Sequence, residues 1–338
     1  MKRADTAVKN VAVVGVTGAV GREMINCLEK RNFPVGELRV MASSRSTGKT
    51  VKFRGEELTI IEAAADAFAG IDIALMAVEA DQSREFSPAA VKAGAVVVDN
   101  SSAYRMDPDC PLIVPEVNPD AVKEMRKGII ANPNCSTIIM NVPVWPLHRV
   151  NPVKRIIVST YQAASGAGKP AMDELAETTK AWAEGRPLEP KVFPYQLAMN
   201  LFSHNSGLAE NGYNSEEMKM TNETRKIFSA PEMMVAATCI RVPVMRAHCE
   251  AITLEFKNPM SPGEARRILE SAPGVSILDD RVKNRSPQPL DAADRDEVFV
   301  GRIREDISLP GRGLMLWVAG DQILKGAALN AVQIAELL

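Results

Sequence analysis

The sequence predicts an α/β protein of two domains, the first built on a doubly wound parallel sheet. Three observations predict it. The chain is 338 residues long, beyond the size at which one hydrophobic core ordinarily stays single. Short β-branched runs alternate with helical periodicity through the first half, the pattern of parallel strands joined by crossover helices. The first of these runs passes through a glycine-rich turn directly into a helix.

Residues 9–14 (KNVAVV) read as a buried strand. Gly15, Val16, Thr17, Gly18, Ala19, Val20 and Gly21 follow at once, and residues 22–30 place Met24, Ile25 and Leu28 at helical spacing. In that setting glycines allow a tight turn and close approach of backbone to a pyrophosphate, and the helix N-terminus offers unpaired N–H groups. The spacing is GxxGxxG, not the commoner GxGxxG. Alone it is a weak signal, open also to a plain strand-to-helix turn; its flanks point to a Rossmann-type nucleotide site. Residues 37–42 (ELRVMA) form a second strand. A site for NAD often ends this strand on an acid that binds the ribose 2′-hydroxyl. Here Ser43, Ser44, Arg45, Ser46 and Lys49 stand instead, which suits a 2′-phosphate and hence NADP; a solvated basic loop is the other reading. Strands at 71–78 and 95–99, with a helical segment near 88–93, complete the alternation.

Composition excludes several classes. Apolar residues make up 46% and charged residues 24%, ordinary for a globular protein, and the net charge of -2 offers no field for nucleic acid. No run approaches the roughly 18 apolar residues that would span a membrane. Two early positive charges lack a following apolar segment, so no signal peptide is expected. Five dispersed cysteines without a CxxC pair argue against a disulfide framework or a zinc site. No metal is expected, and a reducing cytoplasm is.

Cys135 follows Asn134, a good helix N-cap, so it belongs in a first turn, where the helix dipole favours a thiolate. Pro143 and Pro146 are expected to kink or shorten that helix. Alone, a cysteine there reads sooner as a small buried hydrophobe; its neighbourhood is what points to chemistry. Glu216 and Lys219, three apart on a helical stretch, share a face; by themselves they read first as a surface ion pair. His248, one of three histidines with His148 and His204, is as readily a satisfied core residue as a catalytic one. Arg241 by itself is an ordinary edge-strand arginine. Cys249 points away from His248 on an extended strand and is expected to pack.

The motifs in order are TGAVG at 17–21, NCST at 134–137, YQAASGAG at 161–168, SEEMKMTNETRKI at 215–227, RVPVMRAH at 241–248 and GDQILKGAA at 320–328. This series, over almost the whole chain, closely resembles the aspartate-β-semialdehyde dehydrogenase family. The resemblance implies an N-terminal NADP-binding domain and a C-terminal α/β catalytic and dimerisation domain of the glyceraldehyde-3-phosphate-dehydrogenase-like kind. It implies NADPH-dependent conversion of L-aspartate 4-phosphate to L-aspartate 4-semialdehyde and phosphate, a step toward lysine, threonine, methionine and isoleucine. By residue, it implies Cys135 as nucleophile, Gln162 orienting the intermediate and His248 as general acid/base. Arg241 would clamp the α-carboxylate and Glu216 would pair with the amino group. Arg105 and Lys219 would hold the phosphate. Gly15, Thr17, Gly18, Ala19, Val20, Gly21, Arg45, Ser46, Ser165, Gly166 and Gln322 would contact NADP. A homodimer is implied.

The expected map is a cofactor domain at 1–133 and a catalytic domain at 134–324. An amphipathic segment at 325–338 is implied to pack back on the first domain. A helical insertion at 171–185 and a loop-rich stretch at 193–214 are implied to lie near the dimer interface. The alternatives are related reductases. N-acetyl-γ-glutamyl-phosphate reductases carry a GCYPT-like cysteine context, and glyceraldehyde-3-phosphate dehydrogenase carries SCTTN; neither occurs here. A malonyl-CoA reductase could dispense with Arg105 and Lys219. A non-catalytic NADP-sensing regulator, of a different class, would not need Cys135, His248 and Arg241.

Overall fold

The computed structural model describes residues 7–338; the early positive charges weighed as part of a leader lie outside them. The chain divides into two compact units: residues up to Pro133 together with Ala327–Leu338, and Asn134–Gly326.

In the first unit, β1 (Lys9–Val14) leads into α1 (Ala19–Lys30) and β2 (Val35–Ala42). A hairpin of β3 (Thr50–Phe53) and β4 (Glu56–Thr59) precedes β5 (Ile61–Glu62). Then come β6 (Ile73–Met76), α2 (Ala80–Lys92), β7 (Val96–Asp99) and β8 (Ile129–Ala131). Six strands form a parallel sheet in the order β5-β2-β1-β6-β7-β8. Strand order reverses between β1 and β6, so a crevice opens beyond the end of β1, where Gly15 follows. Gly15 has φ +86°, and a Cβ there would lie 2.2 Å from the Ala77 carbonyl oxygen. At Gly21 a Cβ would lie 2.3 Å from the Gly15 oxygen. Close packing of turn, strand and helix therefore demands glycine at both positions. Helix α2 begins well before the expected 88–93, because its buried face is made partly of Ser83 and Ser87, whose hydroxyls bond each other at 3.0 Å. Apolar periodicity does not register such a face.

The second unit opens with α3 (Cys135–Val150), β9 (Val153–Gln162), α4 (Lys169–Ala183), β10 (Phe202–Ser203) and α5 (Ser215–Ile227). It continues with β11 (Met234–Arg241), β12 (His248–Phe256), α6 (Pro262–Glu270) and β13 (Val275–Ile277). It closes with α7 (Pro289–Ala292), β14 (Val298–Glu305) and β15 (Gly313–Gly320). Seven strands form a mixed sheet in the order β10-β11-β9-β12-β15-β14-β13. Helices α3, α5 and α6 pack against its strands. The stretch 193–214 is irregular apart from the two residues of β10.

Two expectations are corrected. Helix α3 is not cut short by its prolines; it runs 16 residues through both Pro143 and Pro146. Most of its residues are buried, and that packing offsets the backbone bonds the prolines remove. The C-terminal segment, which groups with the first unit, is not amphipathic. After a π-helical turn (Leu324–Ala328), α8 (Leu329–Ala335) is buried nearly all round. It packs against α1, β6 and β7, and its Asn330 Nδ2 donates to Ile113 O at 3.0 Å and Asn132 Oδ1 at 2.6 Å. Among the described residues no helix is long and apolar enough to cross a membrane.

Candidate active site

The second unit gathers its chemistry at the start of α3. Asn134 caps the helix: its Oδ1 accepts from Ser136 N at 3.1 Å and Thr137 N at 3.2 Å. Its Nδ2 donates to Glu216 Oε1 at 2.8 Å and its backbone N–H to Glu223 Oε2 at 2.6 Å, tying the cap to α5. Cys135 is thereby fixed as the first helical residue, and of the five cysteines it alone is not buried. A Cβ on Gly326 would come 2.9 Å from Cys135 Cβ, so the segment after β15 approaches the cysteine as only glycine permits.

His248, the first residue of β12, is fully buried, with Nε2 3.6 Å from Cys135 Sγ. Its Nδ1 accepts the Ala163 N–H at 3.0 Å. In the neutral ring the proton therefore sits on Nε2, facing the sulfur. Burial, and then the charge of Arg241, pushes the imidazole down to about 3, so the resting ring is neutral. Its neighbour Cys249 packs with Ala247, Ala292 and Ala319, as expected.

Gln162 and Arg241 end the parallel strands β9 and β11 directly in register. Because β11 is flanked by β10 and β9, Arg241 is not on an edge strand. It is buried, its Nη1 donates to Ala163 O at 3.2 Å, and its guanidinium lies over Phe193 at 5.7 Å. Its Nε is buried without a hydrogen-bond partner. An orphaned guanidinium N–H is costly, and a carboxylate would satisfy it. At Gly166 a Cβ would lie 3.1 Å from Arg241 Nη1 and 3.3 Å from His248 Cε1, so both side chains border that bare backbone.

Glu216 is buried, its carboxylate accepting from Asn134, from Gln162 Nε2 at 3.2 Å and from Lys219 Nζ at 3.0 Å. Burial alone raises its pKa, but the charges of Lys219 and His204 and the hydrogen bonds from Asn134 and Lys219 outweigh that and bring it to about 2. The i,i+3 pair is thus not a surface ion pair, since Glu216 is only 5% exposed. Gln322 Oε1 accepts from Ala247 N at 2.8 Å and its Nε2 donates to Ser165 Oγ, bracing the loop before His248.

In the first unit, the opening amides of α1 have no side-chain cap and no acid beside them. Arg45 and Ser46 sit on a short 3₁₀ turn after β2. Arg105 is buried, with Nε donating to Asn132 O and Nη2 to Asn100 O, each at 3.0 Å. Among the described residues no cluster of His, Cys, Asp or Glu could hold a metal ion. Sequence reasoning missed Glu223, Thr160 and Ala163. The first two read as an ordinary helical acid and an ordinary strand residue, and the third acts through its backbone.

A cysteine at a helix N-terminus beside a neutral histidine, in a chain that also holds a nucleotide-type parallel sheet, is the arrangement a thiol-dependent dehydrogenase would need. Residues 10–125 match the family model for the semialdehyde dehydrogenase NAD binding domain, and residues 144–325 that for its dimerisation domain. Aspartate-semialdehyde dehydrogenase of Synechocystis is 53% identical over 97% of this chain and 96% of that protein. The solved aspartate semialdehyde dehydrogenase II of Vibrio cholerae, complexed with ASA, superposes with TM-score 0.95 at 44% identity, covering 98% of both chains. The Candida albicans enzyme solved with NADP does so at 0.75 and 26% identity, also covering 98% of both. The chain belongs to the aspartate-semialdehyde dehydrogenase family, an oxidoreductase family with a nicotinamide-binding domain.

Proposed function

We propose that this chain reduces L-aspartate 4-phosphate to L-aspartate 4-semialdehyde with NADPH, releasing phosphate, by way of a thioester on Cys135. The observation that carries this reading is the 3.6 Å approach of His248 Nε2 to a helix-capped cysteine. The Cys135 sulfur bonds to the β-carbonyl carbon as the bond from that carbon to the phosphate oxygen breaks. The dipole of α3 favours the thiolate, and the Nε2–H of the neutral His248 ring faces the sulfur as the donor in that residue's general acid/base role. Arg241 clamps the α-carboxylate with its guanidinium fork and orphaned Nε; Glu216 attracts the amino group; Gln162 orients the acyl carbon. Arg105 and Lys219 hold the departing phosphate. When bound, the nicotinamide supplies the hydride that turns the thioester into the aldehyde.

NADP is the preferred cofactor in this reading. Gly15, Thr17, Gly18, Ala19, Val20 and Gly21 make the turn and first helical residues that would meet a pyrophosphate, the opening amides of α1 having no side-chain cap, and Arg45 and Ser46 suit a 2′-phosphate where an acid is lacking. Ser165, Gly166 and Gln322 serve the nicotinamide side. The division of labour is a cofactor domain at 1–133, joined by 325–338, and a catalytic domain at 134–324, in a cytoplasmic homodimer.

The test follows nicotinamide absorbance with L-aspartate 4-semialdehyde, with and without phosphate, and with NADP against NAD. Turnover should require phosphate and favour NADP, and Cys135→Ser should lose turnover while still binding NADP. Turnover that needs CoA instead of phosphate would overturn the substrate assignment, and an active serine variant the nucleophile.

A further inference from the structure

Register lines up side chains in rows across the buried face of the seven-stranded sheet. Arg241 stands beside Gln162; two residues back along each strand, Cys239 stands beside Thr160, and Glu250 of β12 stands on the other side of Thr160. Residues two apart on a strand share a face, so Thr160 lies next to Gln162 on the catalytic face. Thr160 is fully buried, and its Oγ1 lies 3.1 Å from Gln162 Oε1. A carbonyl oxygen cannot donate, so the threonine hydroxyl does. On the opposite side of the amide, Gln162 Nε2 donates to Glu216 Oε1 at 3.2 Å. An ionised carboxylate only accepts. A donor on one side and an acceptor on the other leave the amide one comfortable orientation. Turned by 180°, its oxygen would face the Glu216 carboxylate and lose the threonine donor.

We propose that Thr160 is a positioning residue for the reaction. Its hydroxyl locks the Gln162 amide so that Gln162 meets the reacting acyl group with an N–H and not with its oxygen. Nε2 carries two hydrogens; one goes to Glu216, and the second is directed to the substrate. A reversed amide would set a carbonyl oxygen against an acyl oxygen that gains negative charge, which opposes the electrostatic stabilisation such sites provide. The proposal rests on the reading of Gln162 as the residue that orients the acyl intermediate.

The test separates the two. Thr160→Val keeps the shape and removes the donor. It should lower kcat about 10-fold or more, as small misplacements in a site do, while leaving the NADP Kd and the melting temperature close to wild type. Thr160→Ser should recover most of the lost rate. Should the valine variant fail to fold, the alanine and serine variants leave similar cavities and differ only by the hydroxyl, so their ratio of kcat reads it. Gln162→Ala is the control, and Thr160→Val added to Gln162→Ala should cost nothing further, since the hydroxyl then has no amide to hold. If Gln162→Ala keeps the wild-type kcat, the reading of Gln162 fails. If Gln162→Ala is slow but Thr160→Val is not, or serine rescues no better than valine or alanine, the proposal for Thr160 fails.

Discussion

Glu250 sits on β12 two residues beyond His248, fully buried, with neither carboxylate oxygen in a hydrogen bond. Burial holds its pKa well above the usual carboxylate range, so in the folded chain it is a neutral acid. Because the folded value lies above the unfolded one of about 4.3, folding takes up a proton. Its contribution is fully present below the unfolded value and is lost as pH rises through the folded one. Glu250→Gln removes the titration and keeps the shape. The variant should match wild type in melting temperature near pH 4 and exceed it at pH 8, by on the order of 1–3 kcal/mol in stability. Melting curves recorded across pH 4–9 check this; a constant offset between the two proteins would refute it. At this scale the sequence was only partly legible. Asn134 before Cys135 announced a capped cysteine. Glu223, Thr160 and Glu250 did not announce themselves, because an acid or a threonine acquires its meaning from partners far along the chain. Glu223 meets the Asn134 amide across 89 residues, and no local pattern encodes that.

Elements behave differently, since their signals are local. The strand at Lys9–Val14 and the capped start of α3 follow from β-branched runs and from an asparagine ahead of an apolar stretch. What escaped was the part of an element whose buried face is not apolar, such as the serine face of α2, and the full extent of burial at α8, which reads as amphipathic. Helix α3 also shows how one residue can set an element and a site at once. Asn134 uses Oδ1 for the cap and Nδ2 for Glu216. Asn134→Ala should cost about 1 kcal/mol in stability through the cap and lower kcat by loosening Cys135. Asn134→Asp is an equally good cap, but it sets a second carboxylate against Glu216. The aspartate variant should therefore lose more activity than the alanine variant while its cap is retained. Kinetics and thermal melting of the pair check this. Equal activity in the two would show that the Nδ2 contact with Glu216 contributes nothing to turnover.

The whole molecule poses the question of what covers the other side of the second sheet. Alternation sends Gln162 and Thr160 to the helix-covered face and Tyr161, Ser159 and Ile157 to the opposite one. The short helix α7 packs on β15, and Ala292 joins Cys249 and Ala319 at one end of that opposite face. Beyond it Ile157 is 42% exposed, and its neighbours in register, Ala236 on β11 and Thr253 on β12, are half-buried. Met315 and Trp317 on β15 continue the same patch. Uncharged side chains in contiguous rows on a sheet face are the makings of an interface. The family model over these residues is that of a dimerisation domain, and a second copy of this chain is the occupant proposed for the patch. Ile157→Glu sets a charge in the middle of those rows without touching the catalytic face. Sedimentation should then show a dimer for wild type and a monomer for the variant at the same concentration. Because β9 carries Gln162 and Thr160 on its other side, splitting the dimer should also lower kcat, with NADP affinity held. A variant that stays dimeric would move the interface elsewhere. A monomer with full kcat would mean that the sheet supports Gln162 without help from a partner.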